Sequence, residues 1–259
     1  MTSLRRMTRV LLTDKIQTAS WIIALYVAAI VISLVPSAFN GELFTRQWSF
    51  LLVQHALSWS FVAMLLAFAF LTRTSEGVYT SNKYRLIPIS EAKLYTANIF
   101  SSFIAFILVF LVQLIFILIY YLFNIRAVKL MLSSNFGGAQ TRIWLFVLAI
   151  ILTGAAGLLF WWAAISLIHL LTTAISRALP ANHQKISKLA IYIILIVIVI
   201  WMFGKLQNWL SQLAYFQYMF YSSSIYTGPL WSALTMAILA LVISVINVWL
   251  LKRQVETNQ

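Results

Sequence analysis

Acidic residues are scarce in this chain: 5 Asp+Glu stand against 18 Lys+Arg in 259 residues, and only 9% of positions are charged. Soluble domains carry about 25% charged residues. Five carboxylates neither solvate a surface of this size nor pair with 18 cations, so a water-soluble globule is excluded. Cysteine is absent altogether. That removes disulfides, a thiolate nucleophile and any cysteine-based metal site, and leaves the compartment open. The sequence contains no His-Glu-x-x-His, no Gly-x-Ser-x-Gly and no Gly-x-x-x-x-Gly-Lys-Ser/Thr. It therefore has no hydrolytic signature and no phosphate-cradling loop with which to bind ATP itself.

What is present is apolar, at 63% of residues. Six stretches are long enough to cross a hydrocarbon core, which takes about 20 residues of helix. They lie near 20–36, 48–71, 97–123, 143–171, 189–206 and 230–251. The composition predicts an all-α integral membrane protein, with one transmembrane domain over 1–259. Pro36 limits the first span, and the third and fourth exceed a perpendicular crossing, so they tilt or project. Five further spans follow the first, which identifies it as a signal anchor rather than a cleaved signal peptide. The net charge of +13 is not a nucleic-acid footprint, because the cations lie between apolar runs.

The cations set the expected orientation. With the N-terminus cytoplasmic, the inner side holds Arg5, Arg6, Arg9, Lys15, Arg73, Lys83, Arg85, Lys93, Arg177, Lys185, Lys188, Lys252 and Arg253. The outer side holds Arg46, Arg126, Lys129, Arg142 and Lys205. Both termini are then cytoplasmic. Residues 3–16 repeat Leu4, Met7, Val10 and Leu11 at helical spacing, with arginines on the flanking faces. Two readings fit: an amphipathic helix in the inner interface, or an ordinary basic flank.

Ionisable groups inside a membrane are functional candidates, because burying them is costly. No Asp or Glu lies within the six stretches, which disfavours ion-driven transport. His55 and His169 fall in the second and fourth, where a neutral imidazole with a structural hydrogen bond is favoured over proton relay. In the fourth, Thr153-Gly154-Ala155-Ala156-Gly157 allows close helix approach, within the bundle or at a subunit interface.

The connection from Arg73 to Asn98 is the longest inner one and mixes both charge signs. Ile87 precedes a proline and is pushed towards extended geometry. Ser90 suits a helix cap, and Glu91 complements the positive helix end. Residues 76–85 are expected to form a short helix parallel to the membrane. Its Tyr84-Arg85-Leu86-Ile87-Pro88-Ile89-Ser90-x-x-Lys93-Leu94 is similar to a stretch between spans two and three of ABC-2 type ABC transporter permeases. The layout of six spans, and a last span ending Val248-Trp249-Leu250-Leu251-Lys252-Arg253, agree with that family.

This resemblance implies a permease with a second permease copy and two cytoplasmic ATPase subunits, which hold ATP and Mg. It implies no enzymatic activity or cofactor in this chain, and a bacterial plasma membrane location. An N-terminal interfacial helix and a cytoplasmic coupling helix between spans two and three go with it. ATPase coupling then falls on Glu76, Tyr79, Asn82, Lys83, Tyr84 and Arg85, with Pro88 of the motif. Between spans five and six, Leu206, Trp209, Leu210, Leu213, Phe216 and Phe220 make an outer amphipathic segment, either capping the pathway or anchoring in the interface. The expected cargo is hydrophobic or amphipathic (an antimicrobial peptide, a lipid or a drug), moved outward. A non-transporting immunity or sensor protein that binds a toxic peptide is the alternative.

Overall fold

The computed structural model describes residues 3–45, 48–81, 84, 87–126, 128–130, 140–177, 184–212 and 226–256. Six long helices carry the architecture: α1 (Leu4–Phe39), α2 (Trp48–Thr80), α3 (Glu91–Phe123), α4 (Gln140–Arg177), α5 (Gln184–Gln212) and α6 (Thr227–Glu256). A 3-10 turn, Glu42–Phe44, follows α1. Among the described residues there is no β-strand. Each long helix contains a stretch apolar and long enough to span a membrane, so this is a multi-pass, all-helical membrane protein. The chain divides into two compact units, residues 1–138 and 139–259.

The first unit is a trio in which α1, α2 and α3 all pack on one another. Ser3 caps α1, its side chain accepting from the Arg6 N–H at 3.3 Å. The buried face of α1 is Met7, Leu11, Lys15, Ala19, Ile22, Tyr26 and Ile30. Steps of four and three keep that stripe on one side along the helix. Residues 4–16 and 20–36 thus belong to one continuous helix of 36 residues, Leu4–Phe39. At about 54 Å it outruns a hydrocarbon core of about 30 Å. Pro36 lies inside α1 rather than ending it. Its ring removes the N–H that would have bonded the Ile32 carbonyl, at a point where only the last turn of the helix follows. Gly41 then turns the chain at φ +75°, a left-handed conformation that suits glycine.

Small side chains let the trio close up. Ala56, Ala63 and Ala67 of α2 and Ala97, Ala105 and Val109 of α3 are buried. Polar side chains bind neighbouring backbone where the helices meet. Tyr26 donates to Ala56 O at 3.1 Å, and Gln113 Nε2 donates to Ser60 O at 3.3 Å. Asn124 Nδ2 reaches Ser49 Oγ at 2.8 Å, beside the Trp48–Phe123 edge-to-face pair.

In the second unit α4 packs along α6, and α5 lies against α4. The small-residue run of α4 belongs to that α4–α6 contact. Thr153 Oγ1 donates to Pro229 O at 2.7 Å, and Asn247 Nδ2 to Ala163 O at 2.8 Å. A Cβ on Gly157 would meet Met236 Sδ at 3.5 Å. The bundle-packing reading of this run is the one the contacts bear out. Phe160 and Phe203, 5.0 Å apart, join α4 to α5. None of the apolar stretch of α5 is buried within the structure.

Candidate functional site

The segment between α2 and α3 is built onto the first half of α1. No proline stands between Arg73 and Thr80, and the single Gly77 is tolerated, so α2 continues beyond residue 71 and absorbs Glu76 and Tyr79. Leu71, Ser75, Val78 and Tyr79 prolong its buried face. Residues 76–80 are therefore the end of α2 rather than the start of a separate horizontal helix. Beyond Ser81 a chain of backbone bonds folds the connection back. Ser81 N–H meets Gly77 O at 3.1 Å and Tyr84 N–H meets Ser81 O at 3.3 Å. Ile89 N–H then closes on Ile87 O at 2.7 Å across Pro88, a three-residue turn that the fixed proline φ favours.

The α3 helix starts where the proline and serine predict. Ser90 occupies the cap position with extended ψ of 147°, and Glu91 sits in the first turn. The serine side chain makes no capping bond; the Ser90 carbonyl accepts from Leu94 N–H at 3.0 Å instead.

An apolar floor fixes this connection. Met7 and Leu11 of α1 cluster with Val78, Tyr84, Leu94 and Ala97, and Ile87 and Ile89 pack against them. The N-terminal stretch thus sets its apolar stripe against the protein's own connection, and Arg5, Arg6 and Arg9 remain exposed. Above the floor, Tyr84 Oη donates to Asp14 Oδ2 at 3.0 Å. Burial, that hydrogen bond and the Asp14 charge all push the Tyr84 phenol above its ordinary value. Tyr79 stacks on Tyr95, with ring centroids 6.0 Å apart.

One turn further along α1 lies Lys15, a lysine with only 1% of its surface exposed. Lysine is almost never fully buried without partners. Here Nζ donates to Asn98 O at 2.6 Å, Asn98 Oδ1 at 2.6 Å, Ser101 Oγ at 2.9 Å and Ser102 Oγ at 2.6 Å. Asn98 Nδ2 continues to Ser75 O at 3.0 Å, and Ser75 Oγ meets Ser102 Oγ. Burial disfavours the charge on Lys15, and the negative charge of Glu76 on α2 offsets part of that. One side chain of α1 is therefore held by α3 directly and by α2 through the serines and Glu76.

Of the residues expected at this site, Tyr79 and Tyr84 are buried, Glu76 is half-buried and Pro88 is exposed. Asn82, Lys83 and Arg85 lie outside the described residues. In the sequence Lys15 stands among the cations of the inner flank, whereas the fold buries it where α1 meets α2 and α3. Ser75, Asn98, Ser101 and Ser102 belong to none of the sequence motifs described above. The spacing Asn98-x-x-Ser101-Ser102 was the available signal, since it sets three polar groups on one helical face.

Other candidates have plainer surroundings. His169 Nδ1 bonds Tyr192 Oη and so ties α4 to α5, a structural contact. His55 is half-buried on α2. In the segment after span five, α5 runs on through Gln212, while Leu213, Phe216 and Phe220 lie outside the described residues. Among the described residues no group of three or more His, Asp or Glu is arranged to hold a metal ion. No family model, curated protein or solved structure matches this chain.

Proposed function

We propose that this chain is the membrane-spanning subunit of an ATP-driven exporter of the ABC-2 type, carrying hydrophobic or amphipathic cargo outward. Its energy comes from separate cytoplasmic ATPase subunits that hold ATP and Mg, and a second permease copy completes the pathway. The observation that carries this reading is the clamping of the α2–α3 connection to α1. Met7 and Leu11 pack under it, and Asp14 binds Tyr84 at 3.0 Å. The Lys15 cluster then ties the ends of α2 and α3 to the same helix. A push on the exposed turn at Pro88 would be delivered to three helices together. That is the mechanical requirement for switching a membrane pathway from a cytoplasmic motor.

The rest of the molecule agrees with this assignment. The chain has no phosphate-binding loop, so a partner that hydrolyses ATP supplies the drive. Its excess of basic residues on the side of Arg73, Lys93 and both termini supports a cytoplasmic position for that connection. Spans rich in Phe, Trp and Leu, without Asp or Glu in their apolar stretches, suit apolar cargo better than an ion.

The test is purification of the tagged chain from its native membrane, followed by ATP hydrolysis assays with amphipathic peptides, lipids and drugs. A co-purifying ATPase is expected, whose turnover changes with one cargo class. It is also expected to lose cargo response when residues 81–90 are replaced by a flexible linker in a chain that still inserts. A chain that binds a toxic peptide tightly while no ATPase accompanies it, and whose protection survives that replacement, overturns the exporter reading in favour of an immunity or sensor protein.

A further inference from the structure

We propose that Asn98, Ser101 and Ser102 form a monovalent-cation site on α3, and that Lys15 is its resident cation, tethered to α1. Four oxygens surround Nζ at 2.6 to 2.9 Å: the Asn98 carbonyl, its side-chain oxygen and the two serine hydroxyls. These are the short distances of charge-assisted bonds.

The protons of this cage have acceptors other than Lys15 within reach. Ser101 Oγ and Ser102 Oγ donate to Asn98 O at 2.8 and 3.1 Å. Asn98 Nδ2 donates to Ser75 O at 3.0 Å, which turns Oδ1 towards Lys15. Only lone pairs then face the nitrogen. A neutral amine would bring a lone pair of its own and find no donor for it. An ammonium brings three N–H groups and none, and it fits. Backbone carbonyl, carboxamide and hydroxyl oxygens are also the groups with which membrane proteins replace the hydration shell of K⁺ or Na⁺.

A free ion in such a site comes and goes with salt. The tether makes occupancy intramolecular and independent of ion concentration. The bond from α1 to α3 is therefore present in any ionic medium. The site consists entirely of groups within the first unit and stands apart from the export reading.

The experiment uses the full chain in detergent. Lys15→Ala empties the cage, and thermal unfolding is followed in potassium, sodium, ammonium and choline chloride at equal ionic strength. The wild-type midpoint is expected to be the same in all four. The variant's midpoint is expected to rise saturably, by at least about 2 °C, with a small cation and not with choline. Adding Asn98→Ala to Lys15→Ala is expected to abolish that rise. A folded Lys15→Ala protein with one midpoint in all four salts overturns the proposal. Should Lys15→Ala not fold, wild-type protein with ¹⁵N-labelled lysine decides. A slowly exchanging ammonium signal carrying three protons supports the site, and the absence of any such signal overturns it.

Discussion

Replacing Lys15 by methionine keeps most of the stem and removes only the charged tip, so packing is nearly preserved and the polar cluster is tested alone. Lys15 Nζ has four acceptors for three protons, all within 2.9 Å. Hydrogen bonds to a charged group contribute about 1.5–3 kcal/mol each. Their sum is an upper limit, because burying an ammonium itself costs several kcal/mol. Ser101 and Ser102 also keep their bonds to Asn98 O after the substitution. What remains is the cost of withdrawing the donor from buried acceptors, Asn98 Oδ1 above all, about 1–3 kcal/mol.

The assay is unfolding in mixed micelles titrated with SDS, read from the fluorescence of the ten tryptophans. Adding Glu76→Gln is expected to restore part of the loss, since it withdraws a negative charge that the ammonium no longer offsets. A Lys15→Met protein within about 0.5 kcal/mol of wild type, the range of an ordinary surface change, refutes the cluster's role in holding the trio.

Other outcomes follow from the same contacts. Tyr84→Phe is expected to cost about 1 kcal/mol, less than a fully buried charged bond because Asp14 is exposed; a double-mutant cycle with Asp14→Asn measures the coupling, and zero coupling contradicts it. The Tyr84 phenol is pushed up in the fold by burial and by Asp14, so the unfolded chain loses its proton first. Stability is then complete below the ordinary tyrosine value of 10.0 and falls as pH rises past it, with a smaller fall in Tyr84→Phe when midpoints are compared across alkaline pH. Gly157→Ala is expected to be tolerated, since its Cβ meets Met236 Sδ at 3.5 Å, whereas Gly157→Leu forces α4 from α6 at a cost of about 1–3 kcal/mol in the same SDS titration.

The spans were legible because hydropathy is a local property. The second begins at Trp48 and the third ends at Phe123, as the sequence indicates. The extension of α1 back to Leu4 was not legible, since Arg9, Asp14 and Lys15 depress hydropathy there. Met7 and Leu11 find their cover in Val78, Tyr84 and Leu94, far along the chain. Lys15 looks like Arg9 in the sequence, a cation in a basic flank. Only the folded trio separates them, exposing one and surrounding the other with oxygens from a helix that starts at Glu91. The connection was recognisable from Pro88 and Ser90, because both act on their immediate neighbours. The roles of Tyr79 and Tyr84 inside it depend on Tyr95 and Asp14, which are not near in sequence to both.

The proposal that the α2–α3 connection drives α1 is tested most directly in reconstituted vesicles containing the chain with the ATPase expected to co-purify with it. Cargo movement per ATP hydrolysed is compared between wild type and a chain carrying Asp14→Ala with Tyr84→Ala. Loss of movement with hydrolysis retained is the expected result, the motor running without its grip on α1. An unchanged ratio of cargo to ATP would contradict the account.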